Sequence, residues 1–429
     1  MELKKLDRGK WSWAFYDWAN SAFATTVMAG FFPIFLKQYW SSGSDPNEST
    51  FQLGLANAIA GLVIAIIAPA LGAIADRGGA KKKFLLFFTI MGIVMTGALY
   101  FVQQGNWLVA IIVFVVATVG FTGGNVFYDS LIIDVATDEE SDFVSAFGYS
   151  LGYLGGGLVF AVNVGMTLKP ELFGLADMAE AVRWSFISVS VWWTVFCVPV
   201  FLFVREPGEQ QDHGGFINVI QAGFRQFRNT FSEIRALRTV FLFLLAYWFY
   251  IDGVNTVIKM AVDYGLSLGF PTSSLITALL LVQFIGFPAA IAFGYLGEKF
   301  GTKFGLYVGI MVYTGVTFWA YYMDTVSEFY AMAVAIGLVQ GGVQSLSRSF
   351  YSRIIPSDKS AEFFGFYGMF GKFAAILGPF MMGWIAVSSG SPRLAIVSIA
   401  ILFVIGAAVL FFVNESEGRA QARLMEGSR

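Results

Sequence analysis

The residues in this chain that could do chemistry are charged and amide side chains set inside long apolar runs. WSWAFYDWANSAF (11–23) carries Asp17 and Asn20 with almost nothing else polar. Within 239–264, Asp252, Asn255, Thr256 and Lys259 recur at i, i+3, i+4 and i+7, one polar stripe over two helical turns. Thr118, Thr122, Asn125 and Asp129 share a helical face, as do Gln340, Gln344, Ser347 and Arg348, and Lys372 stands among glycines and aromatics. A charge at bilayer depth costs roughly 2.5–3.5 kcal/mol on insertion scales, so such residues face a cavity or a partner. Carboxylates, cations and amides in a semi-dry cavity suit a small polar or zwitterionic solute, whose ammonium pairs with Asp and whose carboxylate pairs with Lys or Arg. An aspartate there can also exchange a proton, which makes Asp17 and Asp252 candidate coupling groups. The competing reading of the Asn, Ser and Thr positions is hydrogen bonding between helices, worth about 0.6–2 kcal/mol each. Asp17 lies seven residues past Lys10, so a cavity wall and a rim gate are both open to it.

Other chemistries are excluded by composition. The single cysteine, Cys197, and the single histidine, His213, rule out a disulfide framework and a Cys/His zinc site within one chain. Ser/His and Cys/His pairs lack a suitable histidine, and no GxxxxGK[ST] loop is present to cradle a nucleotide. No enzyme, cofactor or nucleic-acid partner is expected.

The elements that must position these residues are membrane spans. The chain has 429 residues, 57% of them hydrophobic and only 13% charged, whereas soluble domains carry about 25% charge. Apolar stretches of bilayer length (around 20 residues) fall at about 12–36, 52–75, 84–103, 107–132, 143–168 and 182–204, then 239–264, 272–297, 304–323, 327–350, 363–387 and 393–413. The expectation is an all-α membrane protein of twelve transmembrane helices in two six-helix repeats. It divides into an N-terminal bundle (1–204), a cytoplasmic linker (205–238), a C-terminal bundle (239–415) and a cytoplasmic tail (416–429). In the linker, Ile220, Phe224, Phe227, Phe231 and Ile234 repeat with amphipathic spacing. With both termini inside, 21 of the 27 lysines and arginines fall on the cytoplasmic side. The acidic loop DVATDEESDF (134–143) runs against this count.

The two halves repeat. GAIADRGGAKK (72–82) and GYLGEKFGTKF (294–304) share G-x-x-x-acid-base-x-G-x-K, placing Gly72, Asp76, Arg77, Gly79 and Lys81 opposite Gly294, Glu298, Lys299, Gly301 and Lys303. Gly123–Gly124 corresponds to Gly341–Gly342, Phe147–Gly148 to Phe364–Gly365, and YDWANS (16–21) to IDGVNT (251–256). That last correspondence makes Asp17 and Asp252 two halves of a candidate symmetric site. Acid–base pairs in the repeated loops suit gating, with the acid at a helix N-terminus and the base reaching the other half. Gly148, Gly152 and Gly156 form a small-xxx-small row for close packing, and Gly378–Pro379 is a candidate kink.

The repeated loop resembles the signature of the major facilitator superfamily. FYDWANSAF, QGGVQSLSRSFYSRIIP (340–356) and EFFGFYGMFGKFAAILGP (362–379) are similar to the branch that includes the autophagy-related vacuolar amino-acid effluxers and their bacterial relatives. The resemblance covers nearly the whole chain. It implies a monomeric secondary transporter of amino acids working by alternating access, in a bacterial inner membrane. Where other branches carry arginine after the second loop glycine, this chain has Ala80 and Thr302. Its fourth span carries Asp129 and lacks the arginine of proton-coupled drug antiporters, so their coupling assignments do not transfer. The alternatives from other classes are a lipid scramblase or a receptor on the same fold.

Overall fold

The computed structural model describes residues 6–42, 46–206, 234, 237–374, 377–389 and 391–427, and every regular element among them is helical. Helices α1 (Arg8–Trp40), α2 (Pro46–Gly78), α3 (Lys81–Phe101), α4 (Trp107–Val135), α5 (Ser141–Leu168) and α6 (Met178–Phe203) fill the first half. The second half holds α7 (Arg238–Ser267), α8 (Thr272–Phe300), α9 (Thr302–Tyr322), α10 (Val326–Ile354), α11 (Ser360–Phe373), α12 (Leu377–Ser389) and α13 (Arg393–Phe411). A last helix, α14, covers Glu415–Gly427. Among the described residues ten of these helices are long and apolar enough to cross a membrane. Leu62, Ile66, Phe87, Val94, Val195 and Val404 stand exposed on the outside, as lipid contact requires. Apart from Ile234, the amphipathic run expected in the linker lies outside the described residues.

Local sequence explains where the helices depart from the expected spans. α1 starts at Arg8, earlier than position 12, because the Asp7 carboxylate accepts from Lys10 N at 2.9 Å and caps the helix. It then widens into π-helical turns over Phe23–Phe31 and Leu36–Trp40, flanking Pro33, which has no N–H to give. The candidate kink at Gly378–Pro379 lies inside α12: α11 ends at Phe373 and α12 begins at Leu377. Gly378 and Pro379 sit in the first turn of α12, where a missing N–H costs little.

Two sets of caps recur in both halves. Lys82 Nζ donates to Phe201 O (2.8 Å) and Val204 O (2.7 Å) at the end of α6. Lys303 Nζ does the same for Phe411 O (2.9 Å) and Val413 O (2.8 Å) at the end of α13. At the opposite ends, Arg183 donates to Tyr100 O (2.8 Å) and Arg393 to Tyr321 O (2.7 Å). Each is a cation at a helix C-terminus, where the unsatisfied carbonyls favour it. The role of Lys303 therefore corresponds to Lys82, one place later than the motif suggests. Both are the second residue of their helices, whereas Lys81 opens α3 and bonds Asp134 at 2.9 Å.

The glycines that open the repeated motifs also play matching roles. A methyl on Gly72 would collide with the Ala361 carbonyl, and one on Gly294 would stand 2.7 Å from Ala146 Cβ. α2 thus lies against the first turns of α11, and α8 against those of α5, each crossing from one half to the other.

Candidate functional site

Arg348 of α10 lies at the centre of a buried box made mostly by the other half of the chain. Its side chain is 1% exposed. Nη1 donates to Asp129 Oδ1 at 2.9 Å, both terminal nitrogens lie 3.4 Å from Asp17 Oδ2, and Nε and Nη2 donate to Ser145 Oγ and O at 2.8 Å. Trp13, Tyr149 and Tyr128 present rings at 4.7, 4.4 and 5.4 Å from Cζ. Tyr128 OH donates to Asp17 Oδ2 at 2.8 Å, and Trp13 Nε1 donates to the Tyr128 carbonyl at 2.9 Å. A planar, weakly hydrated guanidinium suits this enclosure of carboxylates and ring faces.

The box exists because glycines let α1 come close to α5. Asp17, Ser21 and Thr25 repeat every four residues along α1, and Gly148, Gly152 and Gly156 do so along α5. Methyl groups on those glycines would stand 2.7, 2.6 and 2.7 Å from Asp17 Oδ2, Ser21 Oγ and Thr25 Oγ1. The small-residue row is therefore the floor on which the polar face of α1 rests.

Next to the box is a layer of amides. Asn20 Nδ2 donates to Asn125 Oδ1 at 2.6 Å, and Tyr153 OH to Gln344 Oε1 at 3.2 Å. Asn125, Asp129, Tyr149, Gln340 and Gln344 keep part of their surface accessible, whereas Asp17, Asn20 and Arg348 are buried.

The stripe on α7 is assembled differently. Asp252 is buried and accepts from Gly378 N at 3.0 Å and Thr256 Oγ1 at 3.3 Å, so its carboxylate caps the first turn of α12. Asn255 is half-buried and Lys259 is exposed, with no ion pair to Asp252. The side chain of Lys372 lies outside the described residues. Among the described residues Asp17 and Asp252 share no partner, and they do not meet in one symmetric site. Asp252 meets a backbone N–H in the first turn of α12, whereas Asp17 meets a guanidinium.

At the end of the bundle that carries both termini, Asp76 accepts from Ala361 N (3.0 Å) and Glu362 N (2.9 Å), facing the N-terminus of α11. Gly79 and Gly301 take φ of 54° and 92°, the left-handed region that glycine tolerates. The Arg77 side chain lies outside the described residues, and Lys299 rests over the Phe300 ring. Removing the Asp76 cap strands two N–H groups, so Asp76→Ala should cost about 1–2 kcal/mol and loosen this end. A cysteine at Ala146, buried against Gly294, should then react faster with maleimide. Unchanged labelling would show that the cap does not hold the two ends together.

The acidic loop that ran against the charge count supplies partners for the bases here. Glu140 pairs with Lys10 (2.7 Å), Asp134 with Lys81 (2.9 Å), Asp138 with Arg419 (3.5 Å) and Asp142 with Arg353 (3.1 Å). Asp142 also accepts from Ser349 and Thr302 lies against it at 2.8 Å. Sequence reasoning missed Asp142, Arg353, Ser145, Tyr128, Tyr149 and Trp13. The signal for the first two was the misplaced acidity itself; the other four carried none that helical spacing could expose.

Comparison with known proteins places this geometry in context. Residues 47–423 match the family described as "Vacuole effluxer Atg22 like". An uncharacterized MFS-type transporter of Bacillus subtilis (strain 168), YxiO, is 38% identical over 417 residues, 96% of this chain and 96% of that protein. Autophagy-related protein 22 of Saccharomyces cerevisiae (strain ATCC 204508 / S288c) is 22% identical, covering 98% of this chain and 94% of that protein. Among solved structures, the human organic anion transporter MFSD10 superposes with a TM-score of 0.73 at 13% identity, covering 94% of this chain and 99% of that one. The proton:xylose symporter XylE gives 0.69 at 15% identity, covering 96% of each chain.

Proposed function

The chain belongs to the vacuole effluxer Atg22-like family of major facilitator transporters, and from that premise we propose that it moves amino acids across a membrane by alternating access. The observation that carries this reading is the box in which Arg348 of the second half is bonded to Asp17 and Asp129 of the first. A transporter needs contacts between its halves that are strong on one side and must break for the other state to form. All of Arg348's nitrogens are engaged, so a solute's carboxylate must find its cation elsewhere, and exposed Lys259 on α7 offers one. A solute's ammonium fits Asp129, which keeps accessible surface and whose bond to Nη1 it would contest. Asn125, Gln340 and Gln344 would orient the remainder. Binding would thereby weaken the box and favour opening at the termini end.

The finer architecture belongs to the same proposal. The recurring caps and crossings support twelve spans in two six-helix repeats, with α11 and α12 together forming the eleventh. Bundles at 1–204 and 239–415 would be joined by a linker at 205–238 and followed by a tail at 416–429. The lysine and arginine bias supports a cytoplasmic termini end, and the bacterial relative supports an inner membrane, with the chain acting as a monomer. Proton coupling would run through Asp17 and Asp129, two carboxylates sharing one guanidinium, since Asp252 is occupied as a helix cap.

Thermal unfolding of the detergent-solubilised chain against panels of amino acids, sugars and organic anions tests this. A ligand at 100 times its Kd stabilises by about 2.7 kcal/mol, so one class of amino acid should raise the unfolding temperature, and Asp129→Asn should remove the rise. Stabilisation by sugars or organic anions with none by amino acids would sink the substrate assignment.

A further inference from the structure

Arg353, five residues beyond Arg348 towards the end of α10, is buried between acids from opposite sides. On one side Nη2 lies 3.1 Å from Asp142 Oδ1, and Nη1 donates to the Asp138 carbonyl at 3.4 Å; both partners belong to the first half. On the other, Nε lies 3.2 Å from Glu415 Oε1, at the start of α14. The same Glu415 oxygen bonds Arg419 at 2.7 Å, and Arg419 reaches across to Asp138 at 3.5 Å, with Arg423 at 3.9 Å. α14 itself is seated on the second half. A methyl on Gly418 would meet Ile354 Cγ2 and Thr239 Cγ2, each at 2.8 Å. Glu415, Arg353 and Arg419 therefore belong to one body, and Asp138 and Asp142 to the other.

This division has a consequence for opening, and it rests on the alternating-access reading above. When the halves part at the termini end, Asp138 and Asp142 leave with the first half. A buried base stripped of its acid is strongly disfavoured. We infer that Glu415 is the counter-ion that remains with Arg353 and Arg419 when the acidic loop withdraws, so that α14 sets how readily this end of the transporter opens. Glu415 touches the bases in both states, whereas Asp142 touches Arg353 only in the closed one. The two acids flanking one arginine must then act in opposite directions. Losing Asp142 weakens only the closed state. Losing Glu415 harms the open state more, because among the described residues Glu415 is the acid of the second half that pairs with Arg353. A helix that merely braced the fold would give both losses the same sign.

The experiment uses the full chain with Cys197 replaced by alanine, in lipid nanodiscs, with spin labels on cysteines placed at Lys83 and Phe300. These sites lie in the first and second halves, and both are exposed. Pulsed dipolar spectroscopy then reads the fractions with long and short separation across the termini end. D142N should raise the open-to-closed ratio by about fivefold or more, because its pair with Arg353 is buried. E415Q, at a partly exposed carboxylate, should lower it about three- to fivefold. The double variant should move back towards the starting ratio. D138N, at a more exposed position, repeats the D142N arm should that variant fold poorly. The inference is overturned when E415Q leaves the ratio unchanged or moves it in the same direction as D142N. A single separation in the parent and in every variant is a different outcome. It would refute alternating access itself, and Glu415's role with it.

Discussion

Replacing Arg348 with alanine is expected to destabilise the chain by about 3–5 kcal/mol, the usual cost of breaking a buried pair by removing one partner, and to abolish transport. The reason is what stays behind. Asp17 and Asp129 would share a buried site with no cation, and Tyr128 OH, donating to Asp17, would be the only direct bond left to that carboxylate among those described. Ser145 would lose both bonds that tie α5 to α10 through the guanidinium. Denaturant unfolding in detergent measures the loss. Arg348→Lys should recover little, because an ammonium cannot fork between two carboxylates while lying flat between three rings. Adding Asp17→Asn and Asp129→Asn to Arg348→Gln should regain much of the stability without regaining transport, since amides can bond one another but provide no charge to exchange. Full stability in Arg348→Ala alone would mean that the box is not held by its charges.

The second large effect is expected at a residue with no side chain. A methyl on Gly148 would stand 2.7 Å from Asp17 Oδ2 and 3.1 Å from both Trp13 and Tyr128 OH, so Gly148→Val must push α1 away from α5. Overpacking of this kind costs about 1–3 kcal/mol, and here it also drags Asp17 off Arg348 and Tyr128. Thermal midpoint and transport should both fall, the latter almost completely. Gly165→Ala on the same helix is the control, because nothing lies within 4 Å of the added methyl. It should leave both unchanged, and an equal loss there would assign the effect to backbone conformation in place of the box.

Much of the candidate site could be read from the sequence because charge inside an apolar run is costly and therefore visible. Asp17, Asp129 and Arg348 were each singled out on their own helical stripes, and the structure brings those three together. Which stripe meets which was not legible, since helical spacing fixes a face but not the neighbour across from it. Asp252 shows the limit of the repeat. Its motif matches that of Asp17 at the acid, the asparagine and the following hydroxyl residue, yet the N-terminus of α12 packed against it turns a duplicated acid into a cap. Lys81 and Lys82 show a smaller version, where the motif aligned glycines but the helix began one residue off. The acidic loop is the opposite case. Counted by sign it weakened the orientation, but it pairs with Lys10 and Lys81 inside the first half and, through Asp142 and Asp138, reaches Arg353 and Arg419 of the second. The aromatic lining of the box stayed hidden, because Trp13, Tyr128 and Tyr149 read as ordinary apolar positions until a cation is placed among them.

The most direct test of the central claim is amino-acid counterflow through liposomes holding a chain that can be tied shut. Phe143 of α5 and Tyr295 of α8 lie across the two halves with ring centroids 5.1 Å apart. Cysteines at these positions, in a Cys197→Ala background, can be joined by a short reducible bifunctional reagent. Radiolabelled amino acid should exchange before cross-linking, stop when the termini end is tied, and resume after reduction. Exchange at an undiminished rate through the tied chain would rule out alternating access through this end.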